Sequence, residues 1–177
     1  METALQIRRA VEIEIRTAFR GVTLGRGISL RHAHFADRFQ DSVWEAHSAS
    51  LAHGEITDDW SQVPLDELES ESDGIAHLDA FGFRYYIPTL MLSVLNHYES
   101  SSMRVIATLM GLYPKKDNTW EYKMHRYSLL NPAQKTAIAR FLAALPKLVE
   151  LDFQDQKIVP RSLRNYWGEY LKTKATG

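Results

Sequence analysis

The most conspicuous candidate chemistry in this sequence is a run of carboxylates. Glu55, Asp58, Asp59, Asp66, Glu67, Glu69, Glu71, Asp73 and Asp79 follow one another with no lysine or arginine among them. Residues from Lys115 onward are correspondingly basic, including Lys123, Arg126, Arg140, Arg161 and Arg164. A formal net charge of −1 therefore hides a dipolar chain. Such a segment either solvates the surface or docks a basic partner, because complementary charge selects partners and speeds their encounter. Trp60, following Asp58 and Asp59, is then either an aromatic anchor inside an acidic rim or a core plug.

Other chemistries have weaker signals. His32 and His34 are two apart, and so are Glu45 and His47, which puts each pair on different faces of a helix. No H-E-x-x-H occurs, and no metal site is expected. The chain has no cysteine, which excludes disulfides and thiolate metal ligands. There is no G-x-S-x-G, and "GVTLGRG" lacks the Lys-Ser/Thr ending of a phosphate loop. No cofactor is expected. Arg161, Arg164, Tyr166, Trp167 and Lys172 mix charge with aromatics, but the aromatics are helically spaced and read as buried. With a balanced net charge, this disfavours nucleic acid as the partner.

The stretch "FGFRYYIP", residues 81–88, sets an arginine among four aromatic rings. A guanidinium in such surroundings needs a carboxylate or several carbonyls. Arg84 is accordingly expected to form a structural ion pair, with Asp37, Asp58, Asp59 and Asp79 as candidate partners. Gly82 lets another backbone approach closely. Pro88 has no N–H for the carbonyl of Arg84, so the chain is expected to kink there or to start a new helix.

These side chains must be positioned by helices. Ile7, Val11, Ile15, Ala18, Phe19 and Val22 form one stripe of a 3.6-residue repeat. Ser29 can cap a helix from Leu30 to about Phe39, and Asp41 or Ser42 can cap the next. Pro64 suits the first turn of a short helix carrying Leu65 and Leu68. Residues 74–98 are the most apolar of the chain and predict a central helix. "MRVIATLMGLY" predicts another, ending at Gly111. "WEYKMHRYSLL" alternates at Trp120, Tyr122 and Met124 and reads as an extended loop. Asn131 and Pro132 open the best-signalled helix, and a last one is expected over Pro160–Leu171. The sum is an all-α single domain over residues 1–177, with six to eight helices and a central apolar helix around F-R-Y-Y-I-P. The start of the chain has no apolar signal-peptide core, and no stretch reaches eighteen apolar residues. No membrane span and a cytoplasmic location are expected.

The residues Gly82-Phe83-Arg84-Tyr85-Tyr86-Ile87-Pro88 resemble the G-F-R-Y-Y-Ω-P signature of a bacterial family of unknown function. The resemblance extends upstream to "DDWSQVPLDEL" and downstream to "YSLLNPAQKTAIARFLAAL" and "LRNYW", about two-thirds of the chain. The region through Gly27 matches no motif of it. The resemblance implies a mainly helical protein that accompanies variable bacterial loci. It brings no catalytic residues.

Three functions are therefore weighed. The first is a non-catalytic protein-binding domain, concretely an immunity protein that neutralises a basic toxin domain. Its contacts would be Asp58, Asp59, Trp60, Glu67, Glu69 and Glu71. The second is an enzyme with an unrecognised site near Arg84, Tyr85 and His97. The third is an oligomeric scaffold associating through its terminal aromatic helix.

Overall fold

The computed structural model describes residues 2–37 and 41–172, with side chains for all of these except residues 36, 37 and 41. In chain order the helices are α1 (Ala4–Ala18), α2 (Leu30–Asp37), α3 (Asp41–Leu51), α4 (Leu65–Ser70), α5 (Ala80–Asn96), α6 (Met103–Gly111), α7 (Trp120–Tyr127), α8 (Pro132–Leu148) and α9 (Asp155–Asn165). Short 3-10 helices at Trp60–Gln62, Ser72–His77 and Trp167–Leu171 complete them. The described residues contain no strand, and the protein is all-α. The expected helix end at Phe39 and the side-chain cap at Asp41 lie outside what is described.

Local chemistry sets most starts. Thr3 and Gln6 form a capping box on α1. Asn131 and Gln134 form another on α8, with Pro132 in the first turn as expected. Ser102 caps α6 by accepting from the Val105 N–H. Asp79 caps α5 by accepting from the Gly82 N–H at 2.7 Å, and its same oxygen accepts from the Ile28 N–H at 3.1 Å. One carboxylate thus ties the loop before α2 to the start of the central helix.

Every residue of α5 except Phe81, Arg84 and Asn96 is buried. It packs against α1, α6, α7 and α8, and a contiguous apolar core surrounds it. This is the central helix expected from composition. It does not restart at Pro88 but runs through it. Gly82 does allow a close approach: a Cβ there would stand 2.3 Å from the Ile28 carbonyl oxygen.

Two segments differ from expectation. "WEYKMHRY" is helix α7 and not an extended loop. Its inward side carries Arg126 and Tyr127, both buried, with Lys123 one turn before Arg126. A stripe containing two cations has no hydrophobic signature. The last helix begins at Asp155 and holds Pro160 inside it. Tyr166, at φ −152° and ψ −58°, then breaks it from the 3-10 turn that carries Trp167. Trp167 is fully buried and donates from Nε1 to the Leu112 carbonyl at 2.8 Å. Among the described residues no helix is long and apolar enough to cross a membrane.

Candidate functional site

The acidic segment folds across the edge of the core, and much of it is engaged within the molecule. Glu67 on α4 accepts from Arg31 on α2 at 2.7 Å, and its side chain is 13% exposed. Glu69 accepts from Nε of Arg104 on α6 at 2.6 Å and also from the Ser102 hydroxyl. Glu71 and Asp73 both face His34, at 3.6 and 2.6 Å. These carboxylates brace α4 and the following 3-10 turn against α2 and α6. Arg31 is correspondingly held above its ordinary pKa, first by the hydrogen bond it donates to Glu67.

Of the two readings of Trp60, its placement favours the core plug over the docking anchor. It is 4% exposed, and its Nε1 donates to the Phe19 carbonyl at 2.9 Å, so it is the core plug. An indole buried with its one donor satisfied has nothing left to offer a partner. Asp59 is exposed and caps the 3-10 turn by accepting from the Ser61 N–H and hydroxyl. Asp58 is exposed beside it. Asp66, also exposed, accepts from the adjacent Glu67 N–H. None of Asp58, Asp59 and Asp66 forms an ion pair among the described residues, although Arg16 and Arg20 line the same cleft as Asp58 and Asp59.

The ion pair expected of Arg84 has no partner among the described side chains. Its Nε is buried without a partner, and its guanidinium lies 6.0 Å from the Phe81 ring. Asp79 is occupied as the α5 cap, and the Asp37 side chain lies outside what is described. Arg84 is partly exposed, on the least buried stripe of α5. Its neighbour Tyr85 points the other way, fully buried, and donates to the Ile56 carbonyl at 2.8 Å. Burial, followed by the nearby carboxylates of Asp58 and Asp59, raises its phenol pKa. His97 ends the same helix thirteen residues after Arg84, about 20 Å away along the axis. Arg84, Tyr85 and His97 are therefore not brought together. Among the described residues no group of three or more His, Asp and Glu side chains is placed to hold a metal ion.

The residues that sequence reasoning missed are buried cations. Arg104 is 2% exposed, and besides Glu69 it donates to the Ser93 hydroxyl and the His97 carbonyl, each at 2.8 Å. Arg126 is 1% exposed. Its Nη2 donates to the Ile75 carbonyl at 2.7 Å, while Nε has no partner. The Phe83 and Tyr122 ring centroids lie 4.6 and 5.6 Å from its guanidinium. Lys123, half-buried one turn earlier, donates to the Met110 carbonyl at 2.7 Å. Burial, and then the charge of Arg126, push the Lys123 amine down to about 8. Burial likewise lowers the pKa of Arg126. Both side chains line a cavity of about 440 Å³ between α6 and α7.

This arrangement makes Lys123 a measurable liability. Below pH 8 folded and unfolded chains both hold its proton, and the folded one bears the desolvation penalty in full. Between pH 8 and about 10.5 the unfolded chain still holds that proton while the folded chain has released it, so stability rises with pH. Lys123→Met is expected to stabilise the protein at pH 7 by about 1–2 kcal/mol, after discounting for the exposed half of the side chain. Urea titrations at pH 7 and pH 10 check this. An advantage that fails to shrink at the higher pH would refute the assignment.

Comparison with curated proteins and with solved structures gives no significant match. A family model described as a family of unknown function, DUF6714, matches residues 8–171. The match takes in most of α1 as well, a region in which the sequence showed no motif, and runs to the terminal 3-10 turn. On that coverage the chain belongs to DUF6714, a family of unknown function.

Proposed function

We propose that the protein is a non-catalytic protein-binding domain, most concretely a bacterial, cytoplasmic immunity protein that neutralises a toxin with a basic surface. The observation that carries this reading is the state of Asp58, Asp59 and Asp66. All three are exposed, and none is held in an ion pair among the described residues. Carboxylates already bonded to internal arginines resist docking, because a partner must first displace a good pair. Unpaired surface carboxylates instead offer long-range attraction to a cationic partner and gain when it arrives. The proposed contact set keeps Asp58 and Asp59, adds Asp66, and sets aside Trp60, which is buried, and Glu67, Glu69 and Glu71, which already face Arg31, Arg104 and His34. Arg16 and Arg20 beside Asp58 and Asp59 give the surface alternating sign, which favours one partner pattern over others.

Co-expression tests the function. The product of the neighbouring gene should be toxic by itself, and this protein should relieve the toxicity through a complex that survives purification. A neighbour that is harmless, or whose toxicity is unchanged, removes the immunity reading. The double variant Asp58→Lys with Asp66→Lys tests the surface. It is expected to slow association with that partner by on the order of tenfold at low salt, with an unchanged melting temperature. Unaltered association kinetics would place the interface elsewhere.

A further inference from the structure

The cavity between α6 and α7 shares no lining residue with the aspartate surface and is argued independently of it. Its chemistry is unusual in one respect. Lys123 and Arg126 come from the same face of α7, one turn apart, and no described carboxylate pairs with either. The acid on the rim, Asp117, is engaged by Lys115 at 3.1 Å and by the Thr119 hydroxyl and N–H. Those contacts, the Thr119 hydroxyl foremost, hold its carboxyl down at about 2. The lining thus carries Lys115, Lys123 and Arg126 against Asp117 alone, a formal excess of positive charge. Two like charges, one buried and one half-buried, repel each other and lose hydration, and each raises the cost of the other. Carbonyls satisfy part of the need, since Ile75 takes Nη2 of Arg126 and Met110 takes Nζ of Lys123. They supply no negative charge, and Nε of Arg126 still has no acceptor.

The remaining walls are of the opposite character. Ala76, Ala107 and Met110 line the cavity with the rings of Tyr113 and Tyr122. The Tyr122 hydroxyl is tied to the Ala76 carbonyl at 2.7 Å, which fixes that ring over Arg126. The volume, about 440 Å³, lies in the range that small organic molecules occupy. A bare inorganic anion would satisfy the cations and leave the apolar walls unfilled. A neutral hydrocarbon would fill the walls and leave the cations as they are.

We propose that this cavity binds a small organic carboxylate with an apolar body. The carboxylate is held by Lys123 and Arg126, and the body lies along Ala107 and Met110. A guanidinium and an ammonium gain most from an anion where water is scarce, and a carboxylate accepts from both. The aromatic rings already against Arg126 keep that end of the site rigid before the ligand arrives.

The test uses the full chain and calorimetric titration at pH 7 with acetate, butyrate, hexanoate, octanoate, hexanamide and inorganic phosphate. Affinity is expected to rise from acetate to hexanoate. Hexanamide and phosphate should each bind at least about tenfold more weakly than hexanoate. Lys123→Met is expected to fold and to lose at least about tenfold in hexanoate affinity. Arg126→Met should lose more, and if it does not fold the lysine variant decides alone. With ε-carbon-labelled lysine, NMR titration should show the Lys123 pKa rising when hexanoate is bound. Hexanoate affinity should fall as the pH passes 8; the charged or titratable groups facing Lys123 are Arg126 on its own helix, Lys115 and Asp117 on the preceding loop, and Tyr113 and Tyr122. Equal binding of hexanoate and hexanamide overturns the proposal in favour of a merely apolar cavity. Phosphate binding as tightly as hexanoate reduces the site to a general anion site and also overturns it. So does the absence of binding by every carboxylate in the series.

Discussion

Arg104→Ala is expected to destabilise the protein by about 3 kcal/mol, read as a lower urea midpoint at unchanged slope. The guanidinium is 2% exposed and joins three elements: Glu69 on α4, Ser93 and the His97 carbonyl at the end of α5, and its own helix α6. Removing it leaves a carbonyl and a hydroxyl short of a partner and opens a side-chain-sized void. Glu69 escapes the worst outcome because its side chain is 41% exposed and can rehydrate, which holds the loss toward the lower end for a buried pair. Glu69→Gln, which keeps an acceptor, should accordingly lose only about 1 kcal/mol. For a chain of this length the alanine variant corresponds to a drop in melting temperature of roughly 6–12 °C. A loss below about 1 kcal/mol would mean that Arg104 does not hold α4 and α6 together.

Gly82→Ala is the second large effect, again about 3 kcal/mol or more. The added methyl would sit 2.3 Å from the Ile28 carbonyl oxygen, 3.1 Å from Oδ1 of Asp79 and 3.1 Å from Leu78 Cδ2. The nearest of these is backbone and cannot rotate away. Nor can the loop retreat freely, because the Ile28 N–H is bound to the carboxylate that caps α5. The chain crossing is tight on both sides: a Cβ on Gly27 would meet the Gly82 nitrogen at 2.7 Å. Gly111→Ala is the internal control. Its methyl would find only Phe83, at 3.8 Å, an ordinary contact. It should be neutral or slightly stabilising, as alanine favours the helix. Equal stability of the two variants would show that the crossing of residue 28 over α5 is looser than the structure has it.

What was legible in the sequence followed from local rules. The cap at Asn131, the proline in the first turn of α8 and the apolar density of residues 74–98 needed no knowledge of neighbours. Gly82 was legible too, since a glycine amid bulky rings implies something close to its backbone. Helix α7 was not. Its inward stripe is Lys123, Arg126 and Tyr127, so a reading that sends cations outward misses the helical period. The alternation of Trp120, Tyr122 and Met124 then looked like an extended chain.

The candidate sites divide along the same line. The sequence by itself determined an all-α chain with a central helix at F-R-Y-Y-I-P and an acidic stretch leading into it. It also determined which residues could carry charge. Only the tertiary structure decided where that charge was used. Glu67 finds Arg31 across 36 residues and Glu69 finds Arg104 across 35, while Arg84, in the most suggestive surroundings, finds no described carboxylate. Helical periodicity fixes which face of a helix is apolar, but not which other helix faces it. Ion pairs and buried cations depend on that second fact. The same holds at α6 and α7, where packing alone turns Lys123 and Arg126 from surface charges into part of the lining of a cavity.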